Sequence, residues 1–484
     1  MNLRRADARF LLPRPIETAA IVEPLAGWRD TLEAAGVDVD ASGGVPPDLA
    51  VAAASDADRA VATGTGMVIL EGRAGARRLA AAGFDVTRYL ARPVLDAPEF
   101  FLPLAGAPAA YALRNWATED RRWRRLRNSV LATAAAHGAL PAVVPSVVVG
   151  TRSGRVPYMV AAARSRVAEL PSGGWLLSLG RADALSRNVF HLFPESEREP
   201  RFVVKFARSP GYEEPFVREE AGLRLAAEAG PTVAAHAPRL VARFEVDGAS
   251  AAVETAAPGE PLKRYLTRPL ARESKLAALS EVARWIVDVG AATSRRAEEP
   301  VASRTAIEKA TASAEGSVVE EVLAASAEAP AVLAHNDLGS WNVIRNKSGS
   351  FVAVDWESAR TDGFPLWDLV YFLTEALATM DGAVEDGWEP YIRELFRGNH
   401  ATSRFLFDWI ARGADAASVP PDRVGPLLTL CWLHHSASTP LRRDTIERQR
   451  AVGTTAVPPL ERVASVWLSD PDLGPGWQRW RTVT

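Results

Sequence analysis

Up to about residue 140, short apolar runs (Ala20-Ile21-Val22, Leu49-Ala50-Val51-Ala52 and Met67-Val68-Ile69-Leu70) alternate with Ala- and Arg-rich stretches such as Arg73 to Ala82. The runs are β-like, and their alternation with helical stretches predicts a small α/β layer. The turn after the first run, Glu23-Pro24-Leu25-Ala26-Gly27, lacks the G-x-G-x-x-G spacing that lets a backbone approach a pyrophosphate, so the layer reads as a degenerate Rossmann-like one without a cofactor. Gly64-Thr65-Gly66 precedes a strand and reads as a turn. A helical connector follows from about Ala109 to His137, and Pro141 and Pro145 mark its end.

From residue 146 the pattern changes. Val147-Val148-Val149 and Tyr158-Met159-Val160 flank Arg152-Ser153-Gly154 and predict a hairpin. Trp175 to Leu179, Asn188 to Phe193 and Phe202 to Phe206 then predict three consecutive strands of an antiparallel meander, followed by a helix around Arg218 to Ala229. After Leu262 the chain reads as almost entirely helical. The expected fold class is therefore α+β, with a small antiparallel β lobe (146–262) and a large helical lobe (263–484) preceded by a small α/β domain with its connector (1–145).

A length of 484 residues implies two or three domains. The net charge of −3 gives no global reason to expect a nucleic-acid partner. The local exception is Arg121 to Arg127, which has an aromatic at Trp123; contact with an anionic surface is one reading, and a solvated helix face, with arginine stems lying on apolar surface, is the favoured one. The single cysteine, Cys431, can form neither an internal disulfide nor a thiolate metal cage, which fits a reducing, cytoplasmic setting. The charged start followed by Pro13 and Pro15 shows no export signal, and no apolar run reaches the roughly 18 residues of a membrane span.

The chemistry is concentrated in His335-x-Asp337-Leu338-x-x-x-Asn342 and, thirteen residues further on, Asp355 in Val352-Ala353-Val354-Asp355-Trp356-Glu357. An aspartate and an asparagine in one loop, with a second aspartate closing an alternating strand, form the base and metal set of phosphoryl transfer. Asp337 would accept the proton of an incoming hydroxyl, and the oxygen donors Asn342 and Asp355 would hold Mg²⁺ against nucleotide phosphates. His335 reads as a loop-holding side chain, Asp368 as a cap or brace, and Glu357 stays open between a metal role and a solvent-facing one.

Three upstream pieces stand in the order such a site needs. The turn Gly180 to Asn188, including Ser186, could lay backbone N–H groups over phosphates, although a plain hairpin loop would look the same. Lys205, in the apolar run Phe202 to Phe206, must find a partner or emerge at an edge. Its expected task is to grip the α and β phosphates, positioned by Glu219 or Glu220; Glu219 is preferred because Leu223 falls one turn on along the same face. Finally, Ala251 to Leu262 is a strand ending in a Pro-Gly turn, where backbone near Glu254 to Ala256 would bond the adenine edge, unless it is simply a strand exit.

With His335 to Asn342, Asp355-Trp356-Glu357 and Pro365-Leu366-Trp367-Asp368-Leu369, residues 170 to 440 resemble the aminoglycoside phosphotransferase and choline kinase family. The resemblance implies a protein-kinase-like fold, ATP and Mg²⁺ as cofactors, Asp337 as the catalytic residue, Asn342 and Asp355 as metal ligands and Lys205 on the ATP phosphates. Two departures stand out: Asn336-Asp337-Leu338-Gly339-Ser340-Trp341 replaces the usual Gly-Asp-Leu-x-Pro-Gly, and the turn after Leu179 holds one glycine.

The acceptor remains open: a small-molecule hydroxyl on a sugar, amino sugar or amino alcohol, held by the helices between Arg268 and Ala329 and after Tyr371. Asp381, Glu385, Asp386 and Glu389 could attract a cationic acceptor but read more simply as a solvated acidic face, and His434-His435 reads as helix interior because adjacent residues point to different faces. The alternative function is a non-catalytic nucleotide sensor, disfavoured because every polar group of the set is retained. A protein kinase is disfavoured because Asp355 and Asp368 are too close to enclose a regulatory segment. The oligomeric state stays open.

Overall fold

The computed structural model of the protein describes residues 3–22, 25, 27–39, 45–72, 74–116, 122–139, 146–295, 316–326, 328–383, 388–437 and 462–482. The chain divides into two compact units: Met1–Phe216 with Leu240–Pro258 and Ile446–Thr454, and Val217–Arg239 with Gly259–Thr445 and Thr455–Thr484.

The first unit is organised by one sheet. Its strands are β1 (Ala19–Ile21), β2 (Leu49–Ala53), β3 (Met67–Glu71), β4 (Asp85–Pro93), β5 (Pro98–Pro103), β6 (Ser146–Thr151), β7 (Trp175–Ser178), β8 (Arg187–Leu192), β9 (Phe202–Ala207), β10 (Leu240–Val246) and β11 (Ala249–Thr255). They lie in the order β1-β2-β3-β6-β4-β5-β7-β8-β9-β11-β10. β1, β2 and β3 are parallel, with the helices Trp28–Ala34 and Ala57–Ala62 serving as the crossovers such pairing needs, whereas β6 onward is antiparallel. The side-chain period of two is visible in the cores. Met67, Ile69, Val147 and Val149 join one apolar cluster with Phe10, Phe190 and Phe206, while Val68, Leu70 and Val148 join another on the opposite face.

Three differences from the sequence reading have local causes. Tyr158 to Val160 opens the helix Tyr158–Arg166 instead of forming a strand, because Pro157 presets the entry and Met159, Val160 and Ala163 pack as one helical face. Val147 to Val149 therefore has no hairpin partner there, and β6 inserts between β3 and β4. The pair β4 and β5 was not anticipated, since Arg88, Arg92, Pro98 and Glu99 break the apolar pattern. The connector is two helices, Ala107–Asn115 and Arg122–Ala136; Arg121 and the side chains of Arg122 to Arg125 fall outside the described residues, as do Glu23, Pro24, Ala26, Pro141 and Pro145.

The second unit is mostly helical, as expected for a kinase-like α+β chain. Its principal helices are Arg272–Thr293, Trp367–Asp381, Trp388–Arg397, Ser403–Ala416 and Val424–Ser436. Two small sheets break the helical run: β12 (Glu260–Pro261) with β14 (Val343–Arg345) and β15 (Phe351–Ala353), and β13 (Val332–Ala334) with β16 (Arg360–Gly363). Buried indoles find polar partners: Trp367 Nε1 donates to Leu427 O, Trp467 Nε1 to Thr429 Oγ1 and Trp477 Nε1 to Phe396 O. His434 and His435 are helix interior, with the His435 ring stacked on Tyr371 at 3.7 Å. No helix among the described residues is long and apolar enough to cross a membrane.

Candidate active site

Residues 335–342 form the connection from β13 to β14, so both ends of this loop are anchored in sheet. The centre is held by carboxylates from the helix Trp367–Asp381. The N–H of His335 donates to Asp368 Oδ2 at 2.6 Å and that of Asn336 to Asp368 Oδ1 at 2.8 Å. Two turns of helix beyond, Glu375 Oε2 accepts from Ser340 N–H at 2.9 Å, and Thr379 Oγ1 steadies the other oxygen at 2.8 Å. Glu375 was not picked out from the sequence; its helical position seven residues after Asp368 was the available signal, because i and i+7 share a face.

The loop fixes its own two polar groups against each other. Asn342 Nδ2 donates to Asp337 O at 2.8 Å and lies 3.3 Å from Asp337 Oδ2. Neither bond uses Asn342 Oδ1, a hard oxygen donor. Asn336 has φ +65°, in the left-handed region where glycine is at ease and asparagine is the best-tolerated alternative. The departure from the usual glycine is therefore conservative in backbone terms. Gly339 is required for another reason: a Cβ there would run into the Trp341 ring.

His335 Nε2 lies 3.0 Å from Val354 O, an atom that only accepts, so the proton sits on Nε2. Burial holds this imidazole below its ordinary pKa despite the opposing carboxylates of Asp368, Asp355 and Glu219. His335 is thus a neutral tie between the loop and the Asp355 segment. Burial also pushes the Asp368 carboxyl up, against the His335 ring and the two N–H donors. Asp355 follows β15 with φ +64° and ψ +61°, a turn that ends the strand at the carboxylate. Behind it the Trp356 indole is buried, donating to Ala353 O at 2.9 Å, and Gly222 gives the 217–228 part of the helix Glu214–Glu228 room to approach Trp356 O. The same stretch carries Glu219, which is buried. Glu357 is partly exposed and 3.9 Å from Arg218, a spacing worth little to stability.

In the first unit Lys205 lies on β9, between β8 and β11, so the edge-strand reading is excluded. Its Nζ is 3.1 Å from Glu254 Oε2, and both side chains are buried. Register explains the pair: Lys205 sits opposite Ala252, which places Glu254 two residues along on the same face of β11. Glu254, expected near adenine, is thus also a carboxylate at the lysine, and strand pairing across nearly fifty residues of sequence concealed it. Ala256 N–H donates to Arg201 O at 3.0 Å. Ser186 is buried and its hydroxyl donates to Asp183 Oδ1 at 3.0 Å, inside the β7–β8 loop. Among the acidic candidates, Asp381 is committed to Arg272 and Tyr391, Glu389 is exposed, and Glu385 and Asp386 lie outside the described residues.

A family model described as the phosphotransferase enzyme family matches residues 179–411, a span that contains Lys205, Glu254, Asp337, Asn342 and Asp355. Residues 179–411 belong to that family. This phosphotransferase region is a kinase-type enzyme acting on hydroxyl acceptors, and its match begins just after β7. No curated protein matches the chain. Similar solved structures include a "putative aminoglycoside phosphotransferase" from Ralstonia eutropha JMP134, at 13% identity over 67% of this chain and 98% of that one, with a TM-score of 0.42. An aminoglycoside-3'-phosphotransferase of type VIII gives 22% identity over 54% and 98%, with a TM-score of 0.30. WbdD, solved with the kinase inhibitor LY294002, gives 14% identity over 87% and 86%, also with a TM-score of 0.30.

Proposed function

We propose that the protein transfers the γ-phosphoryl group of ATP, with Mg²⁺, to a hydroxyl of a small molecule: a sugar, an amino sugar or an amino alcohol. The observation that carries this reading is the loop in which Asn342 Nδ2 ties down Asp337, keeping a base and a metal donor at fixed separation while Asp368 and Glu375 hold the backbone. Asp337 accepts the proton of the acceptor hydroxyl. Asn342 and Asp355 hold the metal. Both are oxygen ligands, the type Mg²⁺ takes, and they would hold it beside the nucleotide phosphates. The bound ion would neutralise charge on the phosphates.

Lys205, placed by Glu254, grips the α and β phosphates, and Glu219 supports the nucleotide side of the site. The loop with Ser186 covers the phosphates, and the Ala256 carbonyl meets the adenine edge, its N–H being engaged with Arg201. The test is turnover of Mg-ATP across amino sugars, sugars and amino alcohols, with Asp337→Ala as the blank. General-base removal should lower turnover by about 10² to 10⁴-fold with Mg-ATP affinity retained. Turnover by Asp337→Ala equal to that of the unaltered protein would sink the assignment.

A further inference from the structure

The segment before β1 reaches the loop between β7 and β8 through hydrogen bonds from Leu3 and Arg4. Arg4 Nε donates to Gly180 O at 2.7 Å, and Leu3 N–H to Ala182 O at 3.5 Å. Arg208, one residue past β9, donates to Arg181 O at 2.6 Å and also to Asp183 O. Its Nε and Nη2 meet Asp7, with Nη2 to Asp7 Oδ2 at 2.8 Å, and both side chains are fully buried. Arg9 Nη2 closes the arrangement on Arg208 O at 2.9 Å, while the Phe10 ring stands edge-on to Phe206, 4.9 Å between centroids.

Four consecutive carbonyls, from Gly180 to Asp183, thus accept from the chain start or from the arginine that Asp7 holds. In a planar trans peptide the C=O of one residue and the N–H of the next point in opposite directions. Pinning those four oxygens toward the chain start therefore turns the N–H groups of Arg181, Ala182, Asp183 and Ala184 the other way. Successive amides so aligned are the group that receives an anion such as a phosphate.

We propose that residues 3–11 are a built-in clamp that sets this loop for the nucleotide phosphates, with Arg4 and the Arg208–Asp7 pair as positioning residues. The proposal rests on the phosphotransferase reading above. It assigns a task within the enzyme to a segment that lies outside the matched family region.

The full-length protein is titrated calorimetrically with Mg-ATP and, separately, with adenosine. Arg4→Ala, which removes a half-buried side chain and should fold, weakens Mg-ATP binding about three- to tenfold, the equivalent of one hydrogen bond to the loop, and leaves adenosine binding unchanged. Arg4→Lys restores part of the loss. Arg208→Lys, which keeps the charge but not the planar fork, shifts Mg-ATP in the same direction where its melting temperature shows it folded. Mg-ATP affinity within twofold of the unaltered protein in Arg4→Ala overturns the clamp, as does an equal loss for adenosine. Lys205→Ala separates the two claims: if it abolishes the phosphate-dependent affinity while Arg4→Ala has no effect, the clamp alone fails. If Lys205→Ala binds Mg-ATP normally, or the unaltered protein does not bind it, the functional reading fails and the clamp with it.

Discussion

The loop 335–342 and the β7–β8 loop are both held rigid, but from opposite sides of the peptide unit. In the first, carboxylates of Asp368 and Glu375 accept from backbone N–H groups. In the second, guanidiniums donate to backbone carbonyls. The braces also differ in range: Asp368 lies 33 residues from His335, whereas Arg208 and Asp7 are 201 residues apart. A nearby brace is set as soon as one helix packs on two short strands. A distant one requires the segment before β1 to meet the end of β9 across 201 residues of sequence. The loop 335–342 is thus locally self-contained, and the β7–β8 loop depends on a part of the chain outside the matched phosphotransferase region.

The comparison is tested most severely at the buried ion pair. Arg208→Ala leaves the Asp7 carboxylate in a fully buried site without its cation and should cost about 3 to 5 kcal/mol in urea unfolding. Adding Asp7→Ala should recover part of that loss, because the stranded charge is gone. A double variant no more stable than Arg208→Ala would mean that the pair matters through its packing.

Next in size comes Asp368→Ala. It strips the acceptor from two backbone N–H groups in a buried loop, at about 1 to 3 kcal/mol for the first and less for the second if water enters. Turnover should fall with stability, since Asp337 rides on that loop. An Asp368→Ala protein less stable than Arg208→Ala would reverse the ranking of the two braces.

This contrast also separates what could be read in the chain from what could not. The loop from His335 to Asn342, Asp355 and the helix holding Asp368 were legible because chemistry, turn and brace lie within 34 residues, so spacing alone carries the geometry. The meander β7 to β9 was legible for the same reason, each strand pairing with its sequence neighbour. Glu254 at Lys205 was not, because strand register decides which residues face each other. The insertion of β6 between β3 and β4 was hidden likewise, since apolar alternation reveals a strand without its partner. Arg4, Asp7 and Arg208 belong to no motif in the sequence, and only the fold shows Asp7 and Arg208 fully buried.

The acid limb of stability offers a smaller effect that again divides the two regions. Burial, reinforced by the Lys205 charge, pushes His191 down to about 3; its Nε2 lies 3.1 Å from Ser178 Oγ. Its unfolded counterpart titrates near 6.5, so as pH falls from there toward 3 the unfolded chain takes up a proton that the folded one refuses, and stability drops. His335 acts in the same direction. Asp368 acts in the opposite one: its raised folded pKa favours the fold at low pH, and that contribution is lost as pH rises through the folded value. His191→Gln should therefore flatten the melting temperature against pH below 6.5. His335→Gln should flatten it as well, because the variant removes the buried imidazole and leaves the opposite contribution of Asp368 in place. A slope unchanged in His335→Gln would show that this ring takes up its proton in the folded protein as readily as in the unfolded one.

The smallest effect asks why each loop holds a residue of little bulk. At Asn336 the constraint is the backbone angle: φ is +65°, while the N–H that Asp368 accepts belongs to the main chain and survives any non-proline substitution. Asn336→Gly should stay within about 0.5 kcal/mol, as glycine adopts this region freely and also removes a buried Oδ1 that lacks a hydrogen-bond partner. Asn336→Val should cost about 1 to 2 kcal/mol, the penalty for a branched Cβ in the left-handed region. At Gly180 the constraint is space, for its φ is not positive but a Cβ would collide with Arg187 O across the hairpin. Gly180→Ala should thus destabilise the protein although alanine suits its backbone angle, and should weaken Mg-ATP binding as well, because the carbonyl that Arg4 holds must move. An Asn336→Gly protein as damaged as Gly180→Ala would mean that the Asn336 side chain, not the turn it permits, is what the loop 335–342 requires.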